Sequence, residues 1–297
     1  MMINRRGFME GSLAAGAILA TGAVGKAGRL LAKESPASQM QLGLVTYQWG
    51  KDWDVDTILR NLQAAKIGGV ELRTGHKHGV EPGLPAEKRA EVKRRFAGSP
   101  VKLVGLGSAE CFDHVDPARL AKAIEDTKAY LRLSADVGAS GVKVRPNDFH
   151  KEVEREKTIE QIGKSLNVVG KFAGELGQQV RLEVHGGCTE LPVIKKIMDV
   201  ASDPNVFVCW NSNKNDLAGD GLEANFNLVK ARLAATVHIR TLDTPDYPWD
   251  RLVELLVKSG YAGWLLLECS NAITDPVAAL SRQRELFDGL VARAQGK

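Results

Sequence analysis

What most constrains this chain is an alternation. From residue 41 to the C-terminus, short runs rich in strand-forming residues take turns, eight times, with longer segments of helical period. The runs are 41–47 (QLGLVTY), 69–74 (GVELRT), 101–107 (VKLVGLG), 141–146 (GVKVRP), 180–185 (VRLEVH), 206–211 (VFVCWN), 236–241 (TVHIRT) and 263–268 (GWLLLE). Helical segments follow, beginning near residues 54, 85, 117, 155, 190, 222, 249 and 276. Strands separated by crossover helices form a parallel sheet. Val55, Ile58, Leu59 and Leu62 make one apolar helix face, and Leu252, Leu255 and Leu256 make another. Asp116-Pro117 and Asp275-Pro276 each supply a capping acceptor followed by a proline suited to the first helical position. Glycines stand before several strands, where a helix ends and the chain turns back. Eight such units in about 255 residues predict an α/β, single-domain (β/α)8 barrel, the TIM barrel, over residues 39–297. A doubly wound open sheet is the alternative, but no G-x-G-x-x-G follows the first strand.

The first 38 residues read as an address rather than as part of the barrel. Asn4-Arg5-Arg6-Gly7-Phe8-Met9 resembles a twin-arginine export signature, and Gly11 to Gly25 then runs without a charge. That run is shorter than the ~20 apolar residues of a membrane-spanning helix. The expectation is a signal peptide and linker over residues 1–38, delivery to a periplasm, and no stable membrane span after processing. The formal charge of +4 shrinks once Arg5, Arg6, Lys26 and Arg29 are set aside with the signal. A nearly neutral barrel has no basic footprint for nucleic acid. Cys111, Cys188, Cys209 and Cys269 form no C-x-x-C pair and read as small free thiols.

In a barrel of this kind, reactive groups gather at the C-terminal ends of the strands. Polar residues are dense there: Glu71 and Arg73, Lys143 and Arg145, Glu183 and His185, Asn211, His238 and Arg240, and Glu268. Residues two apart on a strand share a face, so each pair can converge inside the mouth. Glu71 with Arg73 reads equally as an ion pair within the barrel. Lys143 and Arg145 can grip an anion or neutralise clustered glutamates, and His185 can orient Glu183 rather than touch a ligand. The stretch THKHGVEPG, with His76 and His78, reads as a mobile loop over the mouth. Tyr47, Trp49 and Trp210 are candidates to stack on a ring, though buried packing is the commoner fate of such residues.

The segments GVELR, RLEVHG, VCWN, VHIR and GYAGWLLLE resemble the xylose isomerase-like barrel superfamily, the sugar phosphate isomerase/epimerase group, over residue 41 to the C-terminus. The resemblance implies a divalent metal (Mn2+, Mg2+ or Zn2+) held by Glu, Asp, His and Glu from strands five to eight. The matching positions are Glu183, Asn211, His238 and Glu268, so a neutral amide replaces one carboxylate. Lys214 stands where that family often has a histidine. It also implies proton transfer next to a sugar carbonyl, with Glu183 and Glu268 as the acid–base pair. Glu71, Arg73, Lys143, Arg145, His185, Lys214 and Arg240 are the candidate substrate-binding residues.

The expected activity is therefore that of a sugar isomerase or epimerase on a free sugar or glycoside, since export argues against a sugar phosphate. A keto-glycoside lyase or hydratase on the same barrel is the alternative within enzymes. A carbohydrate-binding protein that has lost catalysis would account for Asn211 and Lys214. Endonuclease IV-like repair fits worst, with only six histidines in the chain. A homo-oligomer is compatible with such a barrel.

Overall fold

The computed structural model describes residues 38–297; the twin-arginine segment lies outside the described residues. Eight strands alternate with eight α-helices in the order β1 (Gln41–Val45), α1 (Val55–Ala64), β2 (Gly69–Arg73), α2 (Ala86–Ala97), β3 (Lys102–Cys111), α3 (Pro117–Val137), β4 (Gly141–Arg145), α4 (Arg155–Glu175) in the first half. The second half runs β5 (Gln179–Glu183), α5 (Leu191–Val200), β6 (Val206–Cys209), α6 (Leu222–Val229), β7 (Thr236–Ile239), α7 (Trp249–Lys258), β8 (Trp264–Leu267) and α8 (Pro276–Ala294). Every strand pair is parallel, and the sheet order is β6-β5-β4-β3-β2-β1-β8-β7. The (β/α)8 barrel expected from the alternation is the fold.

The ring closes between β6 and β7 by a sparser contact than its other seams. No continuous ladder joins them; isolated bridges pair Val208 with Leu233 and Asn211 with His238. The His238 amide donates to the Trp210 carbonyl at 2.7 Å, and the Ser212 amide to the His238 carbonyl at 3.1 Å.

Local chemistry starts the helices where the sequence marks them. The Asp116 and Asp275 carboxylates accept from the Ala118 and Ala278 amides, with Pro117 and Pro276 at the first helical positions. Asp54 caps α1 through the Thr57 amide. Alternation along each strand then divides two environments. Leu42, Leu44, Val70, Leu72, Val142, Val144, Val180 and Leu182 join the large apolar layer beneath the helices. Val45, Val104 and Leu266 form a separate small cluster, backed by Tyr47 and Trp264.

Much of the rest of the barrel interior is polar. Arg181 is fully buried and donates to the Val104 carbonyl (2.9 Å), Ser140 Oγ (2.7 Å) and Thr236 Oγ1 (3.3 Å). Two glycines of β3 make room for this chain of charges. A Cβ at Gly105 would lie 2.6 Å from Arg181 Nη1, and one at Gly107 would lie 2.9 Å from Glu71 Oε1. Among the described residues no helix is long and apolar enough to cross a membrane, and the four cysteines are buried and free.

Candidate active site

β2, β4, β5, β7 and β8 bring one cluster together at the mouth of the barrel. Glu183, the last residue of β5, has its Oε2 2.7 Å from Lys143 Nζ, and both side chains are buried. Glu268 follows β8 directly, held by its amide on the Ile239 carbonyl at 2.8 Å. His238 sits between them: its Nδ1 is 3.3 Å from Glu183 Oε1 and 3.5 Å from Glu268 Oε2. Its other nitrogen, Nε2, is 3.1 Å from Glu71 Oε1. Asn211 donates its side-chain amide to Glu183 Oε1 (2.8 Å) and Glu268 Oε2 (3.2 Å).

Charge in this buried set is balanced by proximity. Burial disfavours the Glu183 carboxylate, but Lys143 and His238 outweigh it and hold the group well below the ordinary carboxylate range. Burial likewise works against the Lys143 ammonium, which Glu183, Glu268 and Glu71 hold above its ordinary value. For His238 burial opposes the charged ring, yet Cys209, Glu71 and Glu268 push its pKa well up. With His238 protonated, the cations Arg181, Lys143 and His238 face the carboxylates Glu71, Glu183 and Glu268.

A cavity of about 190 Å³ opens above the cluster, lined by Lys143, Glu183, Asn211 and Glu268. Arg73, Arg145, His185 and Tyr47 also line it. At ~30 Å³ per water, that is room for about six waters, or one sugar ring. Wider clefts of about 580 and 570 Å³ lie elsewhere, along α7–α8 and α5–α6. Polar strand-end residues converge at the smaller one, which makes it the candidate active site.

The remaining candidates are placed as follows. Glu71 does not pair with Arg73; it turns to His238, while the Arg73 guanidinium lies 5.3 Å from the Tyr47 ring centre and 3.4 Å from His76 Nε2. Arg145 donates to the Ala109 carbonyl at 2.6 Å. His185 has a buried Nδ1 without a partner, and burial lowers its pKa. Arg240 pairs with Asp246 at 3.2 Å and does not line the cavity. Lys214 opens a short 3-10 turn after β6, is exposed, and is not among the cavity residues.

The THKHGVEPG stretch is tied down where the sequence led us to expect a mobile loop. His78 is buried with Nε2 2.8 Å from the Arg73 carbonyl, and Glu81 accepts from the Gly75 amide at 2.7 Å. Trp49 and Trp210 are buried, Trp210 packing edge-on against Phe226, so Tyr47 alone of the three aromatics meets the cavity. Sequence reasoning missed Arg181 and the role of Glu71 behind His238. The alternation Arg181, Glu183, His185 was the available signal, since all three share one face of β5.

Glu183, His238 and Glu268 offer ligand atoms within 4.8 Å of one another, two carboxylates and one imidazole. This donor set suits a divalent ion. Glu71 behind Nε2 supplies the carboxylate–histidine arrangement that fixes a ligating ring's tautomer. Asn211 turns its nitrogen, not its carbonyl oxygen, to the glutamates, so acting as a ligand would require it to present the other end of its amide.

A closed eight-stranded barrel with a buried acid–imidazole cluster at its C-terminal mouth defines a class of barrel whose functional groups gather at that face. Within it, the chain belongs to the xylose isomerase-like TIM barrel family, whose model matches residues 59–288. Solved structures agree on the fold. One is similar over 84% of this chain and 99% of its own, at 15% identity and a TM-score of 0.71: the apo form of 3-keto-D-glucoside 4-epimerase from E. coli. An L-ribulose 3-epimerase is similar over 86% of this chain and 95% of its own (15% identity, TM-score 0.74). The IOLI protein, solved with a bound zinc atom, is similar over 86% and 99% (15% identity, TM-score 0.72). No curated protein matches in sequence.

Proposed function

We propose that the chain is a sugar isomerase or epimerase that moves a proton on the carbon next to a sugar carbonyl. The observation that carries this reading is the convergence of Glu183, His238 and Glu268 within 4.8 Å, from three strands, beside a cavity of one-sugar size. The structurally similar sugar epimerases and the zinc-bound neighbour support it.

Glu183, His238 and Glu268, with Asn211 as a weak fourth donor, would hold a divalent ion (Mn2+, Mg2+ or Zn2+). When bound, such an ion stabilises negative charge on the substrate oxygens as the proton leaves. The chain's own groups do the rest. Glu183 and Glu268 end neighbouring regions of the mouth, and one accepts the proton while the other returns it. Lys143, 2.7 Å from Glu183, keeps that carboxylate ionised. Glu71 holds His238 in orientation. Arg73, Arg145 and His185 border the cavity where hydroxyls would lie, and Tyr47 offers a ring face. Arg240 and Lys214, both off the cavity, would need a substrate longer than one ring to take part.

The test is exchange of the substrate's α-proton in deuterated solvent, followed with free ketoses and 3-keto-glycosides on metal-loaded protein. Glu183→Gln and Glu268→Gln should each slow exchange by roughly 10²–10⁴, with metal content measured alongside. If both variants exchange at the parent rate with full metal, neither glutamate is the base. Loss of a β-substituent during exchange would redirect the reading to a keto-glycoside lyase. A second reading, carbohydrate binding without turnover, is favoured by the Asn211 amide donating to both glutamates, an arrangement that needs no metal. Binding of sugar with no exchange under any metal would select it.

A further inference from the structure

A second group of donors gathers where β3 runs out into its following loop. Cys111, Asp113 and His114 each offer one ligand atom, all within 4.8 Å of one another. Cys111 Sγ is 3.7 Å from His114 Nε2. His150, from the loop before α4, places its Nε2 3.1 Å from Asp113 Oδ2. Bond lengths of ~2.3 Å to sulfur and ~2.0 Å to nitrogen, at a tetrahedral angle, separate two ligand atoms by about 3.5 Å. The Cys111–His114 pair lies within a few tenths of an ångström of that spacing, while His150 contacts Asp113 from outside the three-donor group.

The site is built rather than incidental. Asp113 is 3% exposed, yet its Oδ1 has no hydrogen-bond partner, a costly state for a buried carboxylate oxygen. Its other oxygen accepts from Asn147 Nδ2 (3.3 Å) and from the Asp148 amide (3.1 Å), besides facing His150. Gln161 of α4 donates to the Phe112 carbonyl (2.8 Å) and the His114 carbonyl (3.0 Å), clamping the backbone on both sides of Asp113. Asn147 holds a left-handed φ of 65°, and its carbonyl accepts the Cys188 amide at 3.2 Å. A Cβ at Gly186 would come 2.3 Å from that carbonyl, so the loop bearing His150 is seated against the β5 loop by a contact that only glycine permits.

We propose that Cys111, Asp113 and His114 form a zinc site, separate from the mouth cluster, with His150 of the loop after β4 holding the Asp113 carboxylate in place. A thiolate, an imidazole and a carboxylate select zinc over magnesium or calcium. Three protein ligands leave the fourth tetrahedral position to water. Coordination is a proton exchange: Cys111 binds as the thiolate, its proton passes to solvent, and the sulfur–zinc bond replaces the sulfur–hydrogen bond. The site reaches the cavity indirectly, because Cys111 is in register with Arg145 and Arg145 donates to the Ala109 carbonyl. Zinc here stiffens the wall that carries Arg145.

Cobalt titration of the full chain tests this, because only a thiolate ligand gives the near-ultraviolet sulfur-to-cobalt charge-transfer band, and the donor set Glu183, His238 and Glu268 holds no thiol. The parent should show the band, saturating at one thiolate-bound ion per chain and bleaching when Zn2+ is added. Glu183→Gln should keep it. Cys111→Ser should abolish it, and His114→Ala should weaken cobalt binding while circular dichroism stays that of the folded barrel. A folded parent without the band overturns the proposal. So does a band that survives Cys111→Ser, since the thiolate would then belong to another cysteine.

Discussion

At the scale of single residues, Asn211 is where this chain departs most from the ligand set its family resemblance implies. Its amide adds no negative charge to a cluster in which Lys143 offsets Glu183. Asn211→Asp should therefore tighten binding of Mn2+ or Zn2+ in titration calorimetry, since a carboxylate adds charge at a hard-ion ligand. Equal affinity in parent and variant would remove Asn211 from the ligand set. Asp216 makes a different kind of prediction. It is buried, accepts from the Tyr247 hydroxyl (2.6 Å) and the Asn213 amide (3.0 Å), and its Oδ1 has no partner. Burial pushes its pKa up to about 7 from 3.8. The folded state thus keeps a proton that the unfolded chain releases between pH 4 and 7. Stability contributed by Asp216 is complete below pH 4 and is lost as pH rises to about 7, by at most ~1.4 kcal/mol per pH unit. Asp216→Asn can accept the same two bonds without ionising, so its melting temperature should exceed the parent's at pH 8 and match it at pH 4. Parallel melting profiles across that range would refute the assignment. The mouth residues themselves were legible because i, i+2 spacing puts them on one face; which of them touch was not. Glu71 was read against its neighbour Arg73, and only the curvature of the barrel reveals that His238, 167 positions away, is its partner.

At the scale of elements, helix starts were read closely because they are set by local chemistry. Asp116-Pro117 and Asp275-Pro276 mark α3 and α8 at the residues where they begin. Strand ends were read less well. β3 continues to Cys111, four residues past the expected run 101–107. Gly105 and Gly107 within it are the space occupied by Arg181 and Glu71, a tertiary demand with no local signature. Gly105→Ala should cost about 1–3 kcal/mol by overpacking, read as a lowered denaturation midpoint at unchanged slope. A neutral outcome would mean that Arg181 has another place to go.

At the scale of the whole molecule, the (β/α)8 architecture was the most legible property, because eight repeats of one supersecondary unit leave few other closed arrangements. The proposed address is a separate matter, resting on Arg5 and Arg6, which lie outside the described residues. Fusing residues 1–40 to a folded reporter should deliver it to a bacterial periplasm, and changing both arginines to lysine should stop delivery. Continued export of the double variant would end the twin-arginine reading.

The barrel is fastened like a belt, with a buckle between β6 and β7. Asn211 and His238 are the two parts of that buckle: they bridge each other, and the amide and carbonyl of His238 carry the two hydrogen bonds beside the bridge. The span between donors on the fifth, sixth and seventh strands is therefore set by the same few backbone atoms that shut the ring. Closing the barrel and spacing the Asn211 and His238 side chains draw on shared backbone atoms, so a substitution that loosens the clasp is expected to shift the two relative to each other.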